Sequence, residues 1–356
     1  MPIWTKLIKS CAISALLAYL AGDLTPSRYM KRHILALRFT SVALLLTLFQ
    51  AIGSCRDRNQ EDINREIFAR TLEISSDAAD APMGELVVRI AESFMGTPYV
   101  GGTLEVEPEE LQICMDKTDC ILFVEMCTCL AMTFKGIDLA IVAGNAEEDG
   151  THTPVKAGEA HCCSTHDDMA KKGTTHTAGS EAAPSYELFC RNVQAMRYRR
   201  GIVDGYASRL HYTSEWIIQA EKLGIMEEFS AEIGQEYTQS FSFMSGHPDS
   251  YRQMRDPATR EAIAAAEKDI EAHAPFYYVS QERLRDASVV SSIRDGDIIF
   301  LMSRAKGLDI AHVAIAREVN GEMHFIHASS KAGEVILEPR TLADYAANGI
   351  RVARLK

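Results

Sequence analysis

His312-Val313-Ala314-Ile315 and Phe325-Ile326-His327-Ala328 flank Asn320-Gly321, and the reading of that stretch decides the fold. Asn-Gly between two strand-like runs is a strong short-range signal for a β-hairpin with a two-residue turn, because both central positions need positive φ. Such a turn pairs Val319 with Glu322. Counting outward puts His312 opposite Ser329 and His327 opposite Ala314, so the two histidines share one face while His324 points to the other. Diagonal neighbours on one face lie roughly 7–8 Å apart, within reach of a side-chain hydrogen bond. A slip of one residue in the turn would destroy the arrangement. Short strands over 297–302, 311–319, 323–327, 335–338 and 351–355, with turns between them, extend the hairpin into an antiparallel sheet.

Almost two hundred residues upstream, Thr118-Asp119-Cys120 runs into the apolar Ile121-Leu122-Phe123-Val124. A helix starts at Cys120 and runs toward Thr133, with Asp119 as its cap and Phe123, Val124 and Cys127 at three- and four-residue steps. A thiol in a first helical turn feels unpaired backbone N–H groups and the positive end of the helix, which favours thiolate. A cysteine there and two histidines on one sheet face form the parts of a thiol hydrolase. One imidazole takes the thiol proton and the other holds the first in its productive tautomer.

These residues, together with Asp295-Gly296-Asp297-Ile298-Ile299 and Ile326-His327-Ala328-Ser329, resemble the motifs of the NlpC/P60 superfamily of papain-like cell-wall peptidases and amidases. More narrowly, residues 96–105 (Gly96-Thr97-Pro98-Tyr99-Val100-Gly101-Gly102-Thr103-Leu104-Glu105), residues 206–212 with Trp216, and Phe243-Met244-Ser245 before His247-Pro248 are similar to the DUF1460 branch. Proteins of that branch are regarded as N-acetylmuramoyl-L-alanine amidases. The resemblance implies an α+β, papain-like NlpC/P60 fold in which the nucleophile helix packs on a small antiparallel sheet, with helical and loop insertions. It implies Cys120 as nucleophile, His312 as general base, His327 as the orienting residue and Tyr99 as a residue lining the site. It also implies peptidoglycan or its muropeptides as substrate and no cofactor. The chain departs from the commonest pattern at Ile121, where a small residue usually follows the nucleophile, and at Ala314, where glycine usually stands. Cleavage within the stem peptide uses the same catalytic residues, and a noncatalytic cell-wall-binding lipoprotein would keep the same scaffold.

Arg209, His211, Tyr212 and Trp216 extend the branch motif. A buried arginine demands charge pairing or several hydrogen bonds, so Arg209 either holds a substrate carboxylate bidentately or braces the inserted segment. On the first reading Tyr212 or Trp216 packs against a sugar or peptide backbone. His247 carries the same two readings, and Ser329, beside His327, is counted with the substrate-contacting residues.

Composition narrows the remaining classes. The 356 residues carry a formal charge of -12, with no basic cluster near the reactive residues, which argues against nucleic acid as a partner. Nine cysteines include no close-spaced Cys/His quartet of a structural zinc site. Cys127 and Cys129 read as buried helix residues, and Cys162-Cys163 beside His161 and His166 as a surface cluster rather than a metal site. Met30-Lys31-Arg32-His33, an apolar run over 34–49 and Ile52-Gly53-Ser54-Cys55 read as a signal peptide ending in a lipoprotein box. Lipidation of Cys55 would anchor the chain to a membrane of the cell envelope, facing the periplasm. The division expected is therefore an extension and signal peptide over 1–54, a tether over 55–63 and a catalytic domain over 64–356. Within that domain, helices are expected from Asn64, as cap, toward Leu72, over 83–94 and over 186–200. Residues 145–184, rich in Gly, Ala, Thr and charge, read as a loop insertion whose His152, His161, His166 and His176 are solvated.

Overall fold

The computed structural model describes residues 59–78, 80–141 and 183–356. Cys55, the preceding basic and apolar runs, and nearly all of the 145–184 segment with its histidines and cysteines lie outside the described residues. Of two compact units, Met1–Asn59 and Gln60–Lys356, the second carries the structure that follows.

Its core element is the helix α3 (Cys120–Phe134), preceded by α1 (Gln60–Ser75) and α2 (Met83–Ser93) and followed by α4 (Tyr186–Arg197) and α5 (Thr213–Lys222). Every residue of α3 from Leu122 to Phe134 is buried, because α2 and α4 pack on it from one side and the sheet from the other. That enclosure explains a helix apolar nearly all round. Phe123, Val124 and Leu130 are fully buried, each contributing about 1.5–3 kcal/mol by leaving water. The helix α1 begins four residues before Asn64, so the last residues assigned to the tether are helical. Asn64 is no cap: it is buried, accepting from Met115 N and donating to Ile113 O, and so ties α1 to the segment before Cys120.

Eight strands follow: β1 (Met226–Glu228), β2 (Gln235–Tyr237), β3 (Phe276–Tyr278), β4 (Ile298–Met302), β5 (Ile310–Val319), β6 (Glu322–Ser329), β7 (Glu334–Leu337) and β8 (Ile350–Leu355). Six of them form an antiparallel sheet in the order β1-β8-β4-β5-β6-β7, while β2 and β3 pair separately. The α6 helix (Pro257–Glu271), capped by Asp256, lies between β2 and β3 in sequence. This is the α+β, papain-like NlpC/P60-type architecture expected from the motifs.

The β5–β6 hairpin turns at Asn320 and Gly321, both at positive φ (54° and 85°), and pairs Val319 with Glu322 and Ile315 with Ile326 as counted from the sequence. Strand alternation then sorts the side chains. Val313, Ile315, Ile326 and Ala328 join the core around α3; Ala314, Ala316 and Phe325 join a second core on the opposite face. With both faces covered, β4 is buried along its whole length.

Candidate active site

The strand β5 is interrupted just before His312. Leu301 of β4 pairs with His312, but Met302 pairs with Ile310, leaving Ala311 bulged out and exposed. A bulge of this kind re-aims the side chain beside it and ends regular pairing. Beyond it, His312 Nε2 lies 2.6 Å from His327 Nδ1, with the rings edge to face at 86°. The diagonal neighbours read from the turn therefore meet, and Nδ1 is the ring nitrogen of His312 left over by that contact. Ala314 sits fully buried beneath this face, so its methyl group is core packing.

A third member comes from the next strand. Ile326 pairs with Leu337 and Glu338 N donates to Phe325 O, which puts the Glu338 side chain on the face of the two histidines. Glu338 Oε2 lies 3.4 Å from His327 Nε2, within ion-pair range but outside hydrogen-bond geometry. Arg340 Nε donates to the other carboxylate oxygen at 2.8 Å and its guanidinium covers the Tyr345 ring. Tyr345 in turn packs edge-on against Phe325 and His327. Glu338, Arg340 and Tyr345 were not singled out from sequence. The signal for Glu338 was present in the alternation of β7, once its register against β6 is fixed.

On the thiol side, Asp119 caps α3, its Oδ1 accepting from Leu122 N at 3.0 Å. Partly exposed Cys120 occupies the first helical position, with the backbone N–H of Val313, next to His312, facing its sulfur. Tyr99 is held there by a strap. Val335 N donates to Thr97 O and Tyr99 N to Gly333 O along β7, while Val100 N and Thr118 O join the strap to the approach to Cys120. Ser329 is buried and closes the β6–β7 turn, its hydroxyl accepting from Ala332 N.

The electrostatics differ from the expectation of a resting thiolate. Burial, with the Asp119 charge adding to it, pushes the Cys120 thiol up to about 11, more than the N–H groups of Val313, Ile121 and Cys120 itself offset. His312 is pushed down to about 4 by burial and by His327. His327 also falls to about 4 through burial, against the pull of Glu338. Burial would raise the Glu338 carboxyl, but Arg340 outweighs it and keeps it ionised. At pH 7 the thiol and both imidazoles are thus neutral.

The remaining residues of the branch motif make contacts of their own. Arg209 is 4 % exposed and already committed: it donates to Leu104 O and to Glu105 Oε1, both at 2.8 Å, and lies over the Tyr206 ring. His211 donates through Nε2 to Tyr206 O and stacks on the same ring; burial pushes it down to about 3. Tyr212 is buried, donating to Glu267 and accepting from Met244 N. Trp216 is a core residue edge-on to Phe300, and exposed His247 bonds Phe243 O through Nδ1. Arg209 fastens residues 206–211 to the loop at Leu104 and Glu105, while His211 braces Tyr206 within the segment.

A family model described as AmiA-like, N-acetylmuramoyl-L-alanine amidase-like, matches residues 145–350, more than half of the chain. The chain belongs to the AmiA-like family. The part matched to the AmiA-like model contains both histidines, Glu338 and the Arg209 segment and begins after Cys120, so the thiol enters the site through the geometry above. An N-acetylmuramoyl-L-alanine amidase from Bacteroides uniformis ATCC 8492 is similar at 27% identity and TM-score 0.61, over 77% of this chain and 99% of that one. A Bacteroides fragilis protein provisionally called a xylanase is similar at 30% identity and TM-score 0.56, over 74% and 98%. A Legionella pneumophila str. Philadelphia 1 protein with the DUF1460 family model shares the fold at 19% identity and TM-score 0.54, over 83% and 97%. No curated protein matches the chain.

Proposed function

We propose that this protein is a cysteine-dependent N-acetylmuramoyl-L-alanine amidase that hydrolyses the amide between the lactyl group of N-acetylmuramic acid and L-alanine of the stem peptide. The observation that carries the chemistry is the 2.6 Å contact between His312 and His327 on the strand whose Val313 N–H faces the Cys120 sulfur. Family membership and the amidase from Bacteroides uniformis support the choice of bond.

Cys120 attacks the amide carbonyl as its proton passes to His312, and the new oxyanion is received by the Cys120 N–H, which has no acceptor within its own helix. Tyr99 lines the same side. His312 then returns the proton to the leaving amine, the C–N bond breaks and a thioester remains. Water, deprotonated by His312, cleaves the thioester and restores the thiol. This sequence needs no metal. Lipidation at Cys55 belongs to the same reading, placing the enzyme on a membrane of the cell envelope with its substrate; it rests on the sequence alone.

Mass spectrometry of defined muropeptides incubated with the protein, beside its Cys120→Ala variant, tests the reading. Release of an intact stem peptide with a free L-alanine amino terminus, by the parent alone, is expected. A new terminus inside the peptide would reassign the enzyme as an endopeptidase. Binding without turnover, and without response to a thiol-alkylating reagent, would make it a cell-wall-binding protein.

A further inference from the structure

We propose that Glu338 is a positioning residue that sets the tautomers of both imidazoles, so that His312 presents an unprotonated Nδ1 to the Cys120 thiol. The inference rests on the reading of Cys120 and His312 as nucleophile and base.

The argument follows the contacts outward from Arg340. Its Nε donates to Glu338 Oε1, leaving Oε2 to face His327 Nε2. A carboxylate accepts only, so it favours the hydrogen on Nε2 of His327. His327 Nδ1 is then a lone pair, and the 2.6 Å contact requires the hydrogen on Nε2 of His312. A neutral imidazole carries one hydrogen, so His312 Nδ1 is a lone pair able to take the thiol proton. The 3.4 Å separation between His327 and Glu338 is of the kind that tightens when substrate closes a site. When His312 becomes cationic, the charge is shared along the same line and faces the Glu338 carboxylate. The other groups around the pair are Arg340 and Tyr345 beyond β7 and Cys120 on α3.

Arg340 makes the test sharp. In Glu338→Gln, the guanidinium still requires an oxygen at the Oε1 position, so the amide NH2 is turned toward His327 Nε2. That reverses both tautomers and points an N–H of His312 at the thiol. The near-isosteric glutamine is therefore expected to be at least as damaging as alanine, which leaves His327 free to choose. Nitrogen-15 spectra of the histidine rings, read in the parent, Glu338→Gln and Glu338→Ala, should show the lone pair on His312 Nδ1 in the parent and on Nε2 in the glutamine variant. Muropeptide turnover by Glu338→Gln should fall about 100-fold or more in kcat with little change in KM. Unchanged ring spectra in Glu338→Gln, or a glutamine variant clearly more active than the alanine variant, would overturn the assignment. An inactive parent would overturn the amidase reading instead, and the ring spectra would still decide this one.

Discussion

Cys120 and Asp119 are in tension. The carboxylate that caps the helix also raises the thiol pKa, so the residue that fixes Cys120 in place disfavours its thiolate. Asp119→Ser keeps a capping oxygen and removes the charge; alkylation of Cys120 by iodoacetamide at pH 7 should become faster than in the parent, and a slower rate would mean that the charge is not what holds the thiol neutral. The histidines make a second statement at this scale. His312 and His327 fall to about 4 and His211 to about 3, from 6.5, so the unfolded chain binds protons before the fold does. Their contribution to stability is fully present above about pH 6.5 and is lost as the pH falls from there toward about 4. Urea midpoints measured across that interval should fall with pH, and His211→Phe should flatten the slope without touching His312 or His327. The place of a side chain was legible for Cys120, His312 and His327, whose positions follow from a helix start and a turn. It was not legible for Tyr345, whose place depends on packing against a ring from another strand.

At the scale of elements, the hairpin turn does most to place His312 against His327. Gly321 sits at φ 85° with open space where a Cβ would be, so Gly321→Ala meets no neighbour and bears only the backbone cost. A loss of about 1–2 kcal/mol in urea denaturation is expected, with the His312–His327 ring spectra unchanged if the register holds. The five short strands and α3 agree with the periodicity of the sequence within a few residues, since each has a period or a turn signal of its own. β1 is three residues long and owes its existence to pairing with β8, so no local pattern announces it. By contrast α6 carries a readable start, Asp256 accepting from Thr259 N with Pro257 at the first helical position, and the sequence reading passed over it. The Ala311 bulge lies between these cases: nothing in Ile310-Ala311-His312 marks it, because it is set by how β5 must meet β4.

For the whole molecule, the critical joint is between α3 and α4, where Arg197 Nε meets Glu125 Oε1 at 3.0 Å with both side chains buried. Removing either partner strands a charge, and Glu125→Leu or Arg197→Met alone should cost about 3–5 kcal/mol, while the double replacement should recover most of it. A double-mutant cycle by urea denaturation measures this; additive losses would show that the two groups do not compensate one another. The Arg209 cluster is a similar joint on a smaller scale, binding residues 206–211 to the loop before the nucleophile through Leu104 and Glu105. The sequence by itself determined the hairpin, its register, the helix that begins at Cys120 and the family, because turns, caps and strand alternation are local and periodic. Only the tertiary structure decided that Glu338 backs His327, that Arg209 is spent on Glu105, and that burial keeps Cys120 protonated. Those outcomes depend on which strands are neighbours and on how much water is excluded, and neither quantity is written in any short stretch of chain.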